Sequence, residues 1–433
     1  MLIFAQRALL PNGWATNVTI EIDHEGWIAS VSRDVSKTHW HYIVGTVIPG
    51  MANLHSHAFQ RIIAGTTERS SELNNDFWSW RNMMYRTALA INPDTLYQTA
   101  LAVYREMLLA GYTAVAEFNY IHRDPDGVWY SDKACTSKAL VQAALDAGLY
   151  ICLLPALYRY GGAGEEPLES AQRRFASTAE DILEIAAAVR GSYCENGNVV
   201  VGVCAHSLRA VSVRDLRALI EASPPTAPVH LHIAEQEGEV AEIQAAYGAR
   251  PVEFLLQSFA LDERWTLIHA TQSDPKEVAG IAETGAVVGL CPTTEANLGD
   301  GIFPFEEYLQ LGGAFGIGSD SNVTISPVDE LRLLEYGQRL RHRRRTIGTR
   351  SGMSCGETLY ANGAAGGAHA CGSRGGWLAV GMRADLVVLA AASDDAPDDS
   401  NRLDHYIFAD RVPLPIHVMT SGRWRVFNGR LTT

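Results

Sequence analysis

Over the first 47 residues, polar and apolar positions alternate in short runs. Asn17–Glu21 and Trp27–Val31 carry the period of two expected of half-buried strands, with the turn-like His24-Glu25-Gly26 between them. From about residue 47 the texture changes to short apolar runs, most of them carrying β-branched residues. Eight such runs are Thr46–Leu54, Thr113–Phe118, Tyr150–Ala156, Val199–Ala205, Pro228–Ile233, Trp265–His269, Ala286–Cys291 and Ala314–Gly318. They read as buried parallel strands. Helical stretches separate them. The clearest opens at Asn92-Pro93, a cap followed by proline, and stops at Gly111. Others span Ser170–Val189, Val213–Ala222, Glu237–Ala246 and Pro327–Arg341. This α/β alternation predicts a (β/α)8 TIM barrel over residues 48–375. After residue 376 the pattern turns β-rich again, at Asp385–Leu389, Ile416–Thr420 and Trp424–Asn428. Residues 1–47 and 376–433 are therefore expected to form one small discontinuous β-sandwich domain.

Composition narrows the function classes. The 433 residues are 47% apolar and 19% charged, a globular balance that excludes a disordered chain. The net charge of −14 argues against a nucleic-acid surface or a polybasic membrane anchor, and an anionic substrate would need local arginines. Seven scattered cysteines with no Cys-x-x-Cys imply a reducing compartment without disulfides or a zinc knuckle. Met1–Arg7 reads as a strand rather than a leader, and no apolar run reaches the length of about 18 residues that a membrane span needs. A cytoplasmic protein is expected. Arg341–Arg345 reads as a solvated helix end. The glycine-rich stretches Gly161–Gly164 and Gly363–Gly376 lack the lysine of a phosphate loop and read as loops, the first a candidate lid.

Chemistry gathers at the predicted strand ends. His55 and His57 flank Ser56, and in extended chain residues i and i+2 share a face. His230 and His232 also share a face; His232 lies nearer the C-terminal end, where barrel sites sit, so His230 is expected one layer deeper. Glu235 reaches the same mouth only if the chain curls after His232. His269 ends the sixth strand and Asp320 follows the eighth. None of these marks a site alone. Four strand ends presenting imidazoles and a carboxylate to one mouth predict a divalent metal site.

This constellation resembles the amidohydrolase superfamily, a metal-dependent hydrolase barrel with a small β domain built from both chain ends. His206 follows the fourth strand, where two-metal members carry a bridging lysine, so the resemblance implies one metal, expected to be Zn2+. Within the superfamily, four stretches resemble the formimidoylglutamate deiminases: Pro49–Arg61, Phe77–Arg81, Ala205–Arg209 and His232–Gln236. That resemblance implies hydrolysis of N-formimidoyl-L-glutamate to N-formyl-L-glutamate and ammonia in histidine degradation. It implies metal ligands His55, His57, His232 and Asp320, with Asp320 accepting the proton of water. It implies Glu235 as the acid for departing ammonia and His269 beside the reacting oxygen, although the sequence leaves open whether His269 is itself a ligand. The small dicarboxylate substrate would meet Arg81 and Arg209 as guanidinium forks, with Gln60, Tyr120 and His206 lining the pocket. A homodimer is expected. The chain departs from the pattern at Asn119 and Asn322, each where a histidine is expected. Two other readings are an aminohydrolase acting on a purine- or pterin-like ring, and a non-catalytic scaffold, which would have lost ligands.

Overall fold

A computed structural model describes residues 1–34, 39–68, 77–193, 195–350, 352–390, 401–409 and 415–432, with backbone alone at 77–79. Strands β1 (Leu2–Leu10), β2 (Gly13–Ile22), β3 (Ile28–Arg33) and β4 (Tyr42–Pro49) open the chain. The barrel strands are β5 (Met51–Ser56), β6 (Tyr112–Asn119), β7 (Tyr150–Leu157), β8 (Val199–Val201), β9 (Val203–Ser207), β10 (Val229–Ile233), β11 (Trp265–His269), β12 (Val287–Leu290) and β13 (Ala314–Ile317). The chain closes with β14 (Leu386–Leu389), β15 (His417–Thr420), β16 (Arg423–Phe427) and β17 (Arg430–Leu431).

The barrel runs β6-β5-β13-β12-β11-β10-β9-β7 and closes through β6 on β7, all parallel. Its strands are buried along their lengths, as helices on the outside and packed side chains on the inside require. All eight predicted runs are present, two of them divided. Thr46–Leu54 splits at Pro49-Gly50, where the chain passes from one sheet to the other. Proline has no N–H for a ladder, and a side chain on Gly50 would meet Thr113 Oγ1 at 2.3 Å. Val199–Ala205 breaks at Gly202, which leaves β8 as a short forerunner of β9.

The terminal strands form one eight-stranded sheet, β17-β16-β15-β14-β4-β1-β2-β3. The returning segment joins through antiparallel pairing of β14 with β4, Leu386 opposite Pro49. Ile3, Ala5, Val18, Ile20, Val47, Leu386, Val388 and Met419 pack into a core separate from the barrel's.

The helix Pro93–Ala110 begins as its sequence signals: Asn92 Oδ1 accepts from Thr95 N–H, and Gly111 ends it with φ of 100°. Two helix expectations need correction. Ser170–Val189 is a single 3-10 turn at Ser170–Gln172, then a helix only from Ala179 to Tyr193. Thr178 sets the later start, trading side-chain bonds with Asp181. Gly363–Gly376 is not simply a loop; its first eight residues belong to the helix Cys355–Ala370. The glycines there serve close packing, because a side chain on Gly366 would strike the Phe315 carbonyl. Gly161–Gly164 is a loop, tied to the helix Glu237–Tyr247 by Ala163 N–H to Glu242 Oε1 at 2.7 Å and Gly164 N–H to the Tyr247 hydroxyl at 3.0 Å. Arg343 follows the helix Pro327–His342 and is exposed, as is Arg344, which pairs with Glu306.

Among the described residues no helix is long and apolar enough to cross a membrane. Six cysteines are unpaired; Cys194 lies outside the described residues.

Candidate active site

His55 and His57 emerge from the end of β5 and its following residue, both fully or almost fully buried. The turn after β13 closes over them. Asp320 N–H donates to His55 O and His57 N–H to Asp320 O, each at 2.9 Å, so backbone bonds place the carboxylate against both imidazoles. Asp320 Oδ1 lies 3.3 Å from Nε2 of His55 and 3.3 Å from Nε2 of His57. His232 Nε2 lies 3.0 Å from His55 Nε2 and 3.3 Å from His57 Nε2. The four expected ligands therefore converge.

Tautomers explain why these nitrogens belong around a cation. His57 Nδ1 faces the Phe118 carbonyl at 2.9 Å and His232 Nδ1 faces the His206 carbonyl at 2.8 Å. Each Nδ1 must carry hydrogen, which leaves both Nε2 atoms as lone pairs pointed at each other. Such a contact is repulsive unless a positive ion lies between. Separations near 3.3 Å are those of neighbouring tetrahedral ligands about 2.0–2.1 Å from one ion. Burial holds the His55 imidazole at about 3 and that of His57 below its ordinary range, so both rings are neutral and each keeps a lone pair for a cation. Burial would raise the Asp320 carboxyl, but the adjoining His55, His57 and His269 rings hold it well below the usual carboxylate range. The donor set fits a divalent metal.

His230, as expected, lies one layer deeper, with Nε2 on the Ala370 carbonyl at 2.9 Å. The curl after His232 is real: Ala234 has φ of 50° and turns Glu235 back into the mouth. His269, Ala270, Asp320 and Asn322 also have positive φ. Left-handed non-glycine residues cost about 1–3 kcal/mol each, and here they cluster where strand ends must aim side chains inward. Burial raises the Glu235 carboxyl to about 7, helped by Asp320 and Glu239 and opposed by His269. Burial would lower the His269 imidazole, but Glu235, Glu295 and Asp320 raise it to about 10.

One cleft, with about 650 Å³ of atom-free space, joins this cluster to the expected substrate residues. Gln60, Arg81, Tyr120, His206 and Arg209 all line it. Gln60 Nε2 donates to the Tyr120 hydroxyl at 2.9 Å, while Gln60 Oε1 is buried without a partner. His206 lies inside β9 rather than after it, packed against Tyr158 with ring centroids 4.7 Å apart. Arg209 pairs at 3.8 Å with Glu242, and Arg81 stacks over Tyr85 at 5.4 Å. The side chains of Phe77, Trp78 and Ser79 lie outside the described set.

Sequence reading missed several lining residues: Met84, Tyr85, Tyr158, Phe175 and Glu239. Tyr158 follows β7 immediately and so obeys the strand-end rule; Glu239 had no signal beyond an acid in a helix's first turn. Glu295, bonded to His269, was missed for the same reason. Asn119 and Asn322 do not line the cleft. Asn119 Nδ2 donates to Ser137 Oγ at 3.1 Å. Asn322 Nδ2 donates to the carbonyls of His57 and Asp320, at 3.1 and 3.0 Å, stapling together the two turns that carry them.

The "Amidohydrolase family" profile matches residues 46–425, and that of "Formimidoylglutamate deiminase HutF, N-terminal domain" matches residues 1–38. A formimidoylglutamate deiminase of Pseudomonas aeruginosa is 47% identical over 99% of this chain and 95% of its own. A 5-methylthioadenosine/S-adenosylhomocysteine deaminase of Archaeoglobus fulgidus is 29% identical over 81% of this chain and 76% of its own. The crystal structure of an amidohydrolase from Brucella melitensis superposes with a TM-score of 0.95 at 42% identity, covering 99% of this chain and 95% of the other.

Proposed function

The chain belongs to the amidohydrolase family, and within it to the formimidoylglutamate deiminases; from that premise we propose that it hydrolyses N-formimidoyl-L-glutamate to N-formyl-L-glutamate and ammonia, a step of histidine degradation. The observation that carries the reading is the shared cleft: three imidazoles and a carboxylate at its floor, two guanidinium groups on its walls. A dicarboxylate with an amidine-like end needs both.

A divalent ion, Zn2+ in this reading, held by His55, His57, His232 and Asp320 would make water nucleophilic near neutral pH. The chain's residues do the rest. Arg81 and Arg209 bind the two carboxylates and hold the formimidoyl carbon over the cluster. Gln60, with its unpartnered buried carbonyl, Tyr120 and His206 fix the substrate's orientation. Asp320, kept ionised by its imidazole neighbours, accepts the proton of the attacking water. His269 stabilises the oxygen that develops on the attacked carbon. Glu235, with its carboxyl raised to about 7, protonates the nitrogen that leaves. The carbon–imine nitrogen bond breaks, a carbonyl forms, and ammonia departs. A homodimer in a reducing cytoplasm completes the proposal.

The second reading, a ring deaminase, draws on the aromatic walls: Tyr85, Tyr120, Tyr158 and Phe175. A substrate panel separates the two. N-formimidoyl-L-glutamate should be deaminated and adenosine and guanine derivatives should not; the reverse preference overturns the proposal.

A further inference from the structure

His269 has both ring nitrogens facing carboxylates. Nδ1 lies 3.2 Å from Glu295 Oε1, while Nε2 lies 3.7 Å from Glu235 Oε1 and 3.9 Å from Asp320 Oδ2. Asp300 joins the same group: one ligand atom each of Glu235, His269 and Asp300 lies within 4.8 Å of the others. A neutral imidazole has one lone pair, and a lone pair aimed at a carboxylate is repelled. Glu295 therefore takes the hydrogen of Nδ1, which leaves Nε2 facing Glu235 and Asp320.

Glu295 is placed to enforce this. It is 5% exposed, in the first turn of the helix Pro292–Leu298, and the same Oε1 also accepts from Cys291 N–H at 2.9 Å. The carboxylate is thus locked to the end of β12 before it meets His269. His269 needs such an anchor, because its φ of 71° takes it off the strand pleat. Its ring also lies nearly parallel to that of His232, 15° between planes with centroids 5.7 Å apart. An untethered ring could swing Nδ1 toward the ligand cluster.

We propose that Glu295 is a positioning residue for the hydrolysis proposed above, on which this inference rests: it accepts the Nδ1–H of His269 and fixes the ring with Nε2 turned toward Glu235 and Asp320.

Metal-loaded protein labelled with 15N-histidine tests the bond directly by proton NMR. One Nδ1 proton should be shifted downfield by a carboxylate, lost in Glu295→Gln and absent in His269→Asn. Absence of that resonance from the wild type, or its survival in Glu295→Gln, overturns the proposal. In kinetics, Glu295→Gln should lower kcat about tenfold to hundredfold, the size of effect seen when a histidine loses its orienting carboxylate, with KM changed less than twofold and metal content unchanged. Glu295→Asp should recover part of the loss. Unchanged kcat, or metal lost in step with activity, would contradict the role. Should Glu295→Gln fail to fold, the wild-type resonance still decides. Should the wild type release no ammonia from N-formimidoyl-L-glutamate, the deiminase reading fails by itself, since the resonance reports the bond without substrate.

Discussion

The floor and the walls of the cleft are built by different means. On the floor, His55, His57, His232 and Asp320 come from buried strand ends or the turns directly after them, and backbone bonds between β5 and the turn after β13 fix their spacing. On the walls, Arg81 and Tyr85 stand on the helix Phe77–Ala90, Arg209 lies in the turn after β9, and Glu239 sits on the helix after β10. The floor has little freedom: its geometry follows from the barrel's register. The walls are assembled from connections that differ in length and direction. In the proposed reaction, the chemistry therefore resides in the scaffold and substrate choice in what is draped over it.

Substitutions can break this division. Removing a floor ligand should have the largest effect: Asp320→Ala or His232→Ala should abolish ammonia release and lower bound metal by elemental analysis. Full activity in either would refute the floor's assignment. Next is Glu235→Gln, with an expected loss of about 10²–10⁴ in kcat. Because its carboxyl is raised to about 7 and acts as an acid, wild-type activity should fall as pH rises through that value. The variant's pH profile should lack that limb; a limb that persists assigns the acid elsewhere. On the walls, Arg81→Met or Arg209→Met should raise KM about tenfold to hundredfold, the worth of one charged hydrogen-bonding group, and leave metal content intact. Unchanged KM in both would remove the carboxylate clamp. The smallest effect should lie outside the cleft. Gly366→Ala, against the Phe315 carbonyl, should cost about 1–3 kcal/mol of stability by thermal unfolding, with kcat retained.

The same division decides what was legible in the sequence. Strand ends are readable because apolar runs stop there, and a His-x-His at the stop has a defined face. His55, His57, His232, His269 and Asp320 were singled out this way, and the fold brings them together. Glu235 needed an assumption about the bend, which the φ of Ala234 supplies. Arg81 and Arg209 were picked out only through resemblance to a family, since nothing in a helix or turn says which arginine faces inward. Glu295 was invisible because an acid in a helix's first turn has an ordinary electrostatic reason to be there. Asn119 and Asn322 drew suspicion as departures from a pattern, yet both make buried hydrogen bonds behind the cleft. Apart from the late start that Thr178 gives the helix Ala179–Tyr193, errors in the fold came from glycine and proline. Pro49-Gly50 split a strand, Gly202 split another, and glycines read as loop punctuation turned out to let a helix sit close against the barrel.

In the proposed reaction, floor and walls act on one substrate. The direct measurement is the product balance when zinc-loaded protein, beside a chelator-treated control, is given N-formimidoyl-L-glutamate. Ammonia and N-formyl-L-glutamate in equal amounts, lost on chelation and restored by metal, is the predicted result. A protein holding one metal per chain that releases no ammonia from this substrate would contradict it.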